Sequence, residues 1–388
     1  MPPPARAKSL GYIPSLDGLR ALSIIIVMLS HFGFAKLVPG LLGVTIFFVI
    51  SGYLITGLLL EESQRTGRID IRSFYIRRGI RLYPAMLVMV AVGAVVYRAL
   101  DGPLHLSDVL SAIFYWANYH VYPEAAGPHG VTHPYLAMWS LAVEEHFYLV
   151  FPCVVLLLRN RRKALLWLII AIIVAVTAWR FHVAAQCGAF PDAGLCAIPM
   201  RIEHGTDTRL DSILFGSLLA VLMQTSASDR LKRAFNIPVS FIAGILLVLG
   251  TIAIRNQHFR DTLRFTLQPM GYFLITGCLI YGATFARVTQ ALSHKLLLRI
   301  GRWSYSLYLW HYIVMVIGSG IVAKSLWQPI ADGVALHEKQ SLVLVPVLFA
   351  ASFLLAWLSY IGIEQPMVAL RKRFGSHATA DTAMNAKA

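Results

Sequence analysis

Windows of roughly 20 mostly apolar residues recur from one end of this chain to the other, joined by short polar connections. An α-helix of that length crosses the hydrocarbon core of a bilayer, about 30 Å at 1.5 Å per residue. Inside that core every backbone N–H and C=O must be bonded within the protein, which favours helices that satisfy their own backbone. The pattern therefore predicts an all-α, polytopic membrane helix bundle. Composition agrees: 57% of the 388 residues are apolar and 14% are charged, against about 25% charged in soluble globular domains. No connection is long enough for an ordinary soluble domain.

We place ten spans, at roughly 18–35, 42–60, 82–99, 138–158, 164–182, 209–225, 237–254, 265–285, 303–322 and 342–362. The chain carries 34 Lys and Arg against 19 Asp and Glu, a formal net charge of +15. In a soluble protein that excess would suggest nucleic acid. Here the positive residues gather in short loops, which points to topology and to anionic lipid or substrate, with no nucleic-acid partner. With span ends counted to the side they face, 23 Lys and Arg fall on the inner side and 9 on the outer, Arg20 and Arg209 lying within spans. Basic residues concentrate on the cytoplasmic side, so both termini are expected there. The expected division is a cytoplasmic tail over 1–15, a membrane domain over 16–364 and a basic cytoplasmic tail over 365–388. The first residues hold no apolar run ending in a small-residue cleavage site, unlike a removable signal peptide.

Two polar stretches need separate treatment. Residues 104–122 are read as an amphipathic, non-spanning piece on the outer face, because a crossing there would put Arg159, Arg161, Arg162 and Lys163 outside. Residues 61–81 alternate basic and apolar side chains and suit an interfacial anchor on the inner face. Of the four cysteines, Cys153 and Cys278 fall in apolar spans, whereas Cys187 and Cys196 share one loop and suit a disulfide if that loop is extracytoplasmic.

Ionisable side chains inside spans are costly and point to function. Arg20 and His31 are eleven positions apart, which on a helix puts them within about 20° of the same face and ~16 Å apart along the axis. A histidine exchanges protons near neutral pH, while a guanidinium holds a carboxylate or phosphate. The bland alternative is a snorkelling arginine and a hydrogen-bonded histidine. Arg77, Arg78 and Arg81 precede the third span, and Arg78 and Arg81 share a helix face, either as a phosphate clamp or as simple positive-inside anchoring. Glu144 and Glu145 open an apolar run and are candidates to pair with Arg20 or orient a histidine. Asp211 is expected to form a structural ion pair with Arg209.

These residues sit in stretches that resemble a known family. SLDGLRALSIIIVMLSHFG, GVTIFFVISGYLIT, FYIRRGIRLYPA, MWSLAVEEHFYLVFP, RLDSILFGSLLA, IGRWSYSLYLWHYIV and YIGIEQPMVALRKR follow in the order found in the bacterial acyltransferase-three family of membrane O-acyltransferases. The likeness runs from about Leu16 to Arg373 and keeps both the arginine–ten–histidine and the arginine–two–arginine patterns. It implies transfer of an acyl group, usually acetyl, from cytoplasmic acyl-coenzyme A, a co-substrate rather than a bound cofactor, to a hydroxyl of an envelope or exported carbohydrate. The setting it implies is a bacterial inner membrane. Some relatives carry an extra soluble domain, which is not expected here, leaving room for a separate periplasmic partner.

On this reading Arg78 and Arg81, with Arg77 in support, hold the nucleotide phosphates, and the pantetheine extends past Arg20 toward His31. His31 serves as general base or carries the acyl group covalently, and Glu144 orients it. Tyr115, Trp116, Tyr119, Tyr122 and Tyr135 suit sugar stacking or an aromatic interface belt alike. No metal site is expected: His129 and His133 are four apart, but flanking Gly and Pro argue against the helix a metal pair needs. His311 is expected to pack or hydrogen-bond in its span. A transporter or flippase of a glycan or anionic metabolite is the competing class, although nothing here reads as an inverted repeat.

A cytoplasmic reporter fused after Arg68 or Lys163 should be active, as should a periplasmic reporter fused after Gly127. A cytoplasmic signal at Gly127 would mean that 104–122 crosses the membrane.

Overall fold

The computed structural model describes residues 11–122, 132–189, 196, 200–326 and 338–371. Its regular structure is helical throughout. α1 (Pro14–Leu29) opens on a proline, whose fixed φ suits a first helical turn, and runs into a π-turn over Ser30–Phe34. α2 (Gly40–Thr66), α3 (Ile71–Ala99), the short α4 (Leu106–Ile113), α5 (Trp139–Leu158) and α6 (Arg162–Ala189) follow. Next come α7 (Arg201–His204), α8 (Thr206–Leu222), α9 (Ser228–Phe235), α10 (Pro238–Ala253), α11 (Gln257–Asp261) and α12 (Arg264–Tyr281). α13 (Ala286–Leu292), α14 (Lys295–Arg302), α15 (Ser304–Leu326), α16 (Glu338–Ser359), a π-turn over Tyr360–Glu364 and α17 (Gln365–Arg371) complete the described chain.

Each expected span overlaps a helix, but among the described residues length and hydropathy qualify six helices for crossing a membrane, or eight if the bent pairs α9–α10 (77°) and α12–α13 (86°) each count as one span. The structure is thus a polytopic bundle with six to eight qualifying helices where about ten were expected. α8 illustrates the difference. It has 17 residues and carries Asp207, Arg209 and Asp211 in its first two turns, yet it occupies the centre of the bundle, packed against α2, α5, α6 and α12. Its partners shield these charges. Arg180 of α6, fully buried, donates to Asp211 at 2.5 Å, to Thr266 at 2.8 Å and to the Thr208 carbonyl at 2.7 Å. The ion pair expected between Asp211 and Arg209 is therefore not the one formed. Residues two apart on a helix point to different sides, and Arg209 instead lies over the Phe265 ring at 4.3 Å and bonds the Glu203 carbonyl.

α2 and α8 approach closely enough that a Cβ on Gly52 would sit 1.9 Å from the Ile213 carbonyl oxygen, and one on Gly216 1.9 Å from that of Val49. Small residues at a helix crossing let backbones touch, the main source of packing energy where lipid competes with apolar side chains.

The stretch 61–81 is not a separate interfacial piece. Its first part completes α2 and its second begins α3, with Asp70 capping α3 by accepting from the Ser73 amide at 3.0 Å. Residues 104–122 hold the eight-residue, amphipathic α4, too short to span, as expected, and it packs against α3. Tyr115 adopts a left-handed φ of 58°, which reverses the chain after α4, and its ring packs 5.6 Å from Tyr83 of α3. Tyr115, Tyr122 and Tyr135 are buried, so these rings serve packing rather than an open stacking surface. Asp108, itself buried, ties the segment down by accepting from the His105 amide at 2.8 Å while its carboxylate meets His120 at 2.7 Å and His133 at 3.3 Å. Cys187 and Cys196 are joined by a disulfide.

Gly216→Ala should destabilise the bundle by about 1–3 kcal/mol, the usual cost of overpacking, because the obstructing atom is backbone. A thermal-melt comparison in detergent measures it, and an unchanged midpoint would mean α2 and α8 are not so close. Acid should loosen the clamp at Asp108. Burial pushes His133 down to about 4, against the opposing pull of Asp108. Burial pushes Asp108 up, but its bonds to His120 and the His105 amide outweigh this and hold it below the usual carboxylate range. Both groups bind protons less readily folded than unfolded, so the stability His133 contributes is lost as pH drops from about 6.5 through 4, and that of Asp108 only below the usual carboxylate range. Hydrogen exchange over 105–122, corrected for intrinsic rates, should rise between pH 7 and pH 5, and less so in His133→Gln.

Candidate active site

A cavity of about 330 Å³ opens among α1, α2, α3, α5 and α15, and the residues singled out in the sequence divide around it. Arg20, Arg78, Arg81 and Glu144 line it, whereas Arg77 and His31 do not. Arg302, at the end of α14, and Glu364, at the end of the second π-turn, join the lining.

The guanidinium groups are not equivalent. Arg78 donates through Nε and Nη2 to Glu145 at 3.2 and 3.1 Å, and its guanidinium carbon lies 3.1 Å from the centre of the Tyr148 ring. Such a group is already held by a carboxylate and a π face. Arg81, one turn on, is exposed. Among the described residues, Arg20, Arg81 and Arg302 form no ion pair within 4 Å. Arg20 feels the charges of Arg81, Asp17 and Glu144. Both arginines of the expected clamp thus line the cavity, Arg78 paired and Arg81 unpaired, and Arg20 and Arg302 add unpaired guanidinium groups from two further helices. Free guanidinium groups in a partly buried cavity suit a polyanion such as a phosphorylated ligand.

The carboxylates are engaged. Glu144 accepts from the Ser51 hydroxyl at 2.9 Å and from the Tyr148 hydroxyl at 3.4 Å, and Glu364 accepts from Ser306. Glu144 belongs to the cavity wall because α5 packs against α2 there, and the hydrogen bond His31 makes is to another residue.

His31 stands on the π-turn that ends α1, where Gly33 at φ 108° breaks the helix in a way open to glycine. Its Nδ1 lies 3.1 Å from Nε2 of His311 on α15. His31 is half-buried and His311 fully buried. Tyr308 separates this pair from the cavity, which it lines. Its ring centre is 5.4 Å from that of His311, and its hydroxyl bonds Ser140 Oγ at 2.5 Å and the Ala137 carbonyl at 2.9 Å. Phe47 sits edge-on to Tyr308 on the cavity side. His133 is held by Asp108 as described, and His129 lies outside the described residues.

Sequence reasoning missed Arg302, Glu364, Ser51 and Tyr148 as parts of the site. All four fall in stretches that carry the family likeness, but nothing local separates Arg302 from topological arginines or marks Ser51, Tyr148 and Glu364 among their neighbours.

Known proteins extend this picture. The chain is 33% identical over 316 residues to the O-acetyltransferase OatA of Staphylococcus aureus, covering 79% of this chain and 51% of that protein. It is 30% identical over 376 residues to the peptidoglycan O-acetyltransferase OatA of Listeria monocytogenes, covering 92% of this chain and 56% of that protein. The chain thus spans about half the length of the curated relatives it matches. No solved structure matches. Residues 13–361, which include every residue of the cavity wall named above except Glu364, match the Acyltransferase domain family, and the chain belongs to that family.

Proposed function

We propose that this chain is a membrane O-acetyltransferase that takes an acetyl group from acetyl-coenzyme A on the cytoplasmic side of a bacterial inner membrane and delivers it to a hydroxyl of a cell-envelope carbohydrate on the other. The observation that carries this reading is the placement of three unpaired guanidinium groups around one cavity, with a half-buried histidine at the far end of the helix that bears one of them. Arg20, Arg81 and Arg302 would hold the phosphates of the donor, and the thioester arm would extend past Ser140 and Tyr308 toward His31. Two relatives named as O-acetyltransferases, one of them for peptidoglycan, support acetyl as the group and a glycan as the acceptor. The disulfide between Cys187 and Cys196 supports an oxidising compartment at the outer end of α6, and with it cytoplasmic termini.

In the reaction, His31 accepts the proton of the acceptor hydroxyl as that oxygen attacks the thioester carbonyl carbon. The C–S bond then breaks, the acetyl group stays on the acceptor oxygen, and the departing thiolate takes the proton back from His31. General-base assistance of this kind is worth roughly 10²–10⁴ in rate.

The two ends of the path should separate in mutagenesis. Arg81→Ala and Arg302→Ala should each weaken acetyl-coenzyme A binding by about 1.5–3 kcal/mol, the value of a charge-assisted hydrogen bond, with Lys rescuing only in part for want of the planar fork. Arg78→Ala should instead lower stability, since it strands Glu145 in the interior. His31→Ala should bind donor normally and transfer nothing to a glycan acceptor. Calorimetry on the purified full chain, beside transfer of labelled acetyl to peptidoglycan fragments, decides it. Donor binding lost in His31→Ala but kept in both arginine variants would reverse the assignment of roles.

A further inference from the structure

His31 and His311 come from helices 280 residues apart in sequence and touch through one nitrogen each. The second nitrogen of His311 fixes what passes between them. His311 Nδ1 lies 3.0 Å from the Leu307 carbonyl oxygen, one turn earlier on α15. A carbonyl only accepts, so Nδ1 of His311 carries a proton. A neutral imidazole has just one, so Nε2 of His311 presents a lone pair. The 3.1 Å contact then requires His31 Nδ1 to be the donor. A neutral His31 consequently has its proton on Nδ1 and its Nε2 bare. Both rings are held against turning away: His31 lies edge-on to Tyr312 at 5.3 Å, and His311 is fully buried between Tyr308 and Phe32.

We propose that His311 is a positioning residue that locks His31 in the Nδ1–H tautomer, so that Nε2 is the nitrogen that removes the proton from the acceptor hydroxyl. The proposal rests on the reading of His31 as general base. When Nε2 takes that proton, the imidazolium keeps its Nδ1–H bond to His311, whose own proton stays on Nδ1 and is donated to the Leu307 carbonyl. The chain of bonds ends on a neutral backbone oxygen with no site for another proton. The charge therefore goes no further than the two imidazoles, and the proton returns through Nε2 of His31 to the leaving thiolate. A carboxylate does the orienting in serine hydrolases. A neutral histidine performs the same orientation without placing an isolated anion in a low-dielectric span, where it would be costly.

Nitrogen-15 NMR of the histidine-labelled full chain in lipid bilayers reads the tautomer directly, with His31→Gln identifying the His31 signals. His31 should show a protonated Nδ1 and a bare Nε2. His311→Phe, which removes the acceptor, should shift His31 away from that form and lower kcat on the order of 100-fold or more, with KM for acetyl-coenzyme A within about twofold of the unmodified enzyme. His311→Gln, whose side-chain oxygen can accept from Nδ1–H, should keep the tautomer and recover most of the rate. His311→Met serves the same purpose if the phenylalanine variant does not fold. A His31 that carries its proton on Nε2, or a tautomer untouched by His311→Phe and His311→Met, overturns the proposal whatever the activity. A tautomer that moves while kcat stays level, with His31→Ala also active, overturns it by a different route, because then His31 is not the base and the functional reading itself fails.

Discussion

A guanidinium inside a lipid-embedded bundle needs a partner, and how each arginine here finds one organises much of the molecule. Arg180 meets Asp211, Arg264 meets Glu203, and Arg78 meets Glu145, each across two elements of the bundle. Every such pair ties segments that are distant in sequence, and unpairing one strands a charge at a cost of several kcal/mol. Against that background, the freedom of Arg20, Arg81 and Arg302 stands out. They surround one cavity, which on the proposed reading is where a ligand anion would meet them. Pairing and non-pairing together divide the bundle into a fixed scaffold around α8 and a receptive chamber between α1 and α15.

What could be read from the amino-acid sequence follows the range of the interaction concerned. The helical class came from apolar windows, a local property, whereas the shared face of Arg20 and His31 was drawn for an unbroken helix and did not foresee the π-turn over Ser30–Phe34. The family likeness added the order of the stretches and pointed at the same residues. Partners supplied by other helices were illegible. Arg78 looked like half of a clamp because Glu145 comes from α5, 67 residues away. Asp211 was assigned to its neighbour Arg209 although its true partner is on α6. Tyr115 and Tyr135 looked like a surface because nothing local signals that the chain after α4 turns back into the bundle. The span count differs from expectation for a related reason. α8 is short and polar on its own, and only its neighbours make it a central element.

The meeting of His31 with His311 belongs to the same category. Each histidine could be picked out as an ionisable group within a span, but the bond between them depends on α15 lying beside the end of α1. The π-turn with Gly33 gives His31 its aspect, and the α15 backbone supplies the carbonyl that orders the protons. A site of this kind is assembled by packing, so a substitution that shifts α15 by a fraction of an ångström alters chemistry without touching a reacting group.

Tyr308 has a consequence that reaches beyond the site. It stands between the cavity and the histidine pair, pinned by Ser140 and the Ala137 carbonyl, with Phe47 on its other side. On the proposed reading, the two compartments it separates are the two aqueous phases on either side of an energised membrane. A continuous water column through the bundle, with an imidazole midway, would conduct protons and dissipate the gradient the cell works to maintain. On that reading, an aromatic side chain pinned at this point interrupts such a column, and a group-transfer enzyme can span the bilayer without becoming a leak.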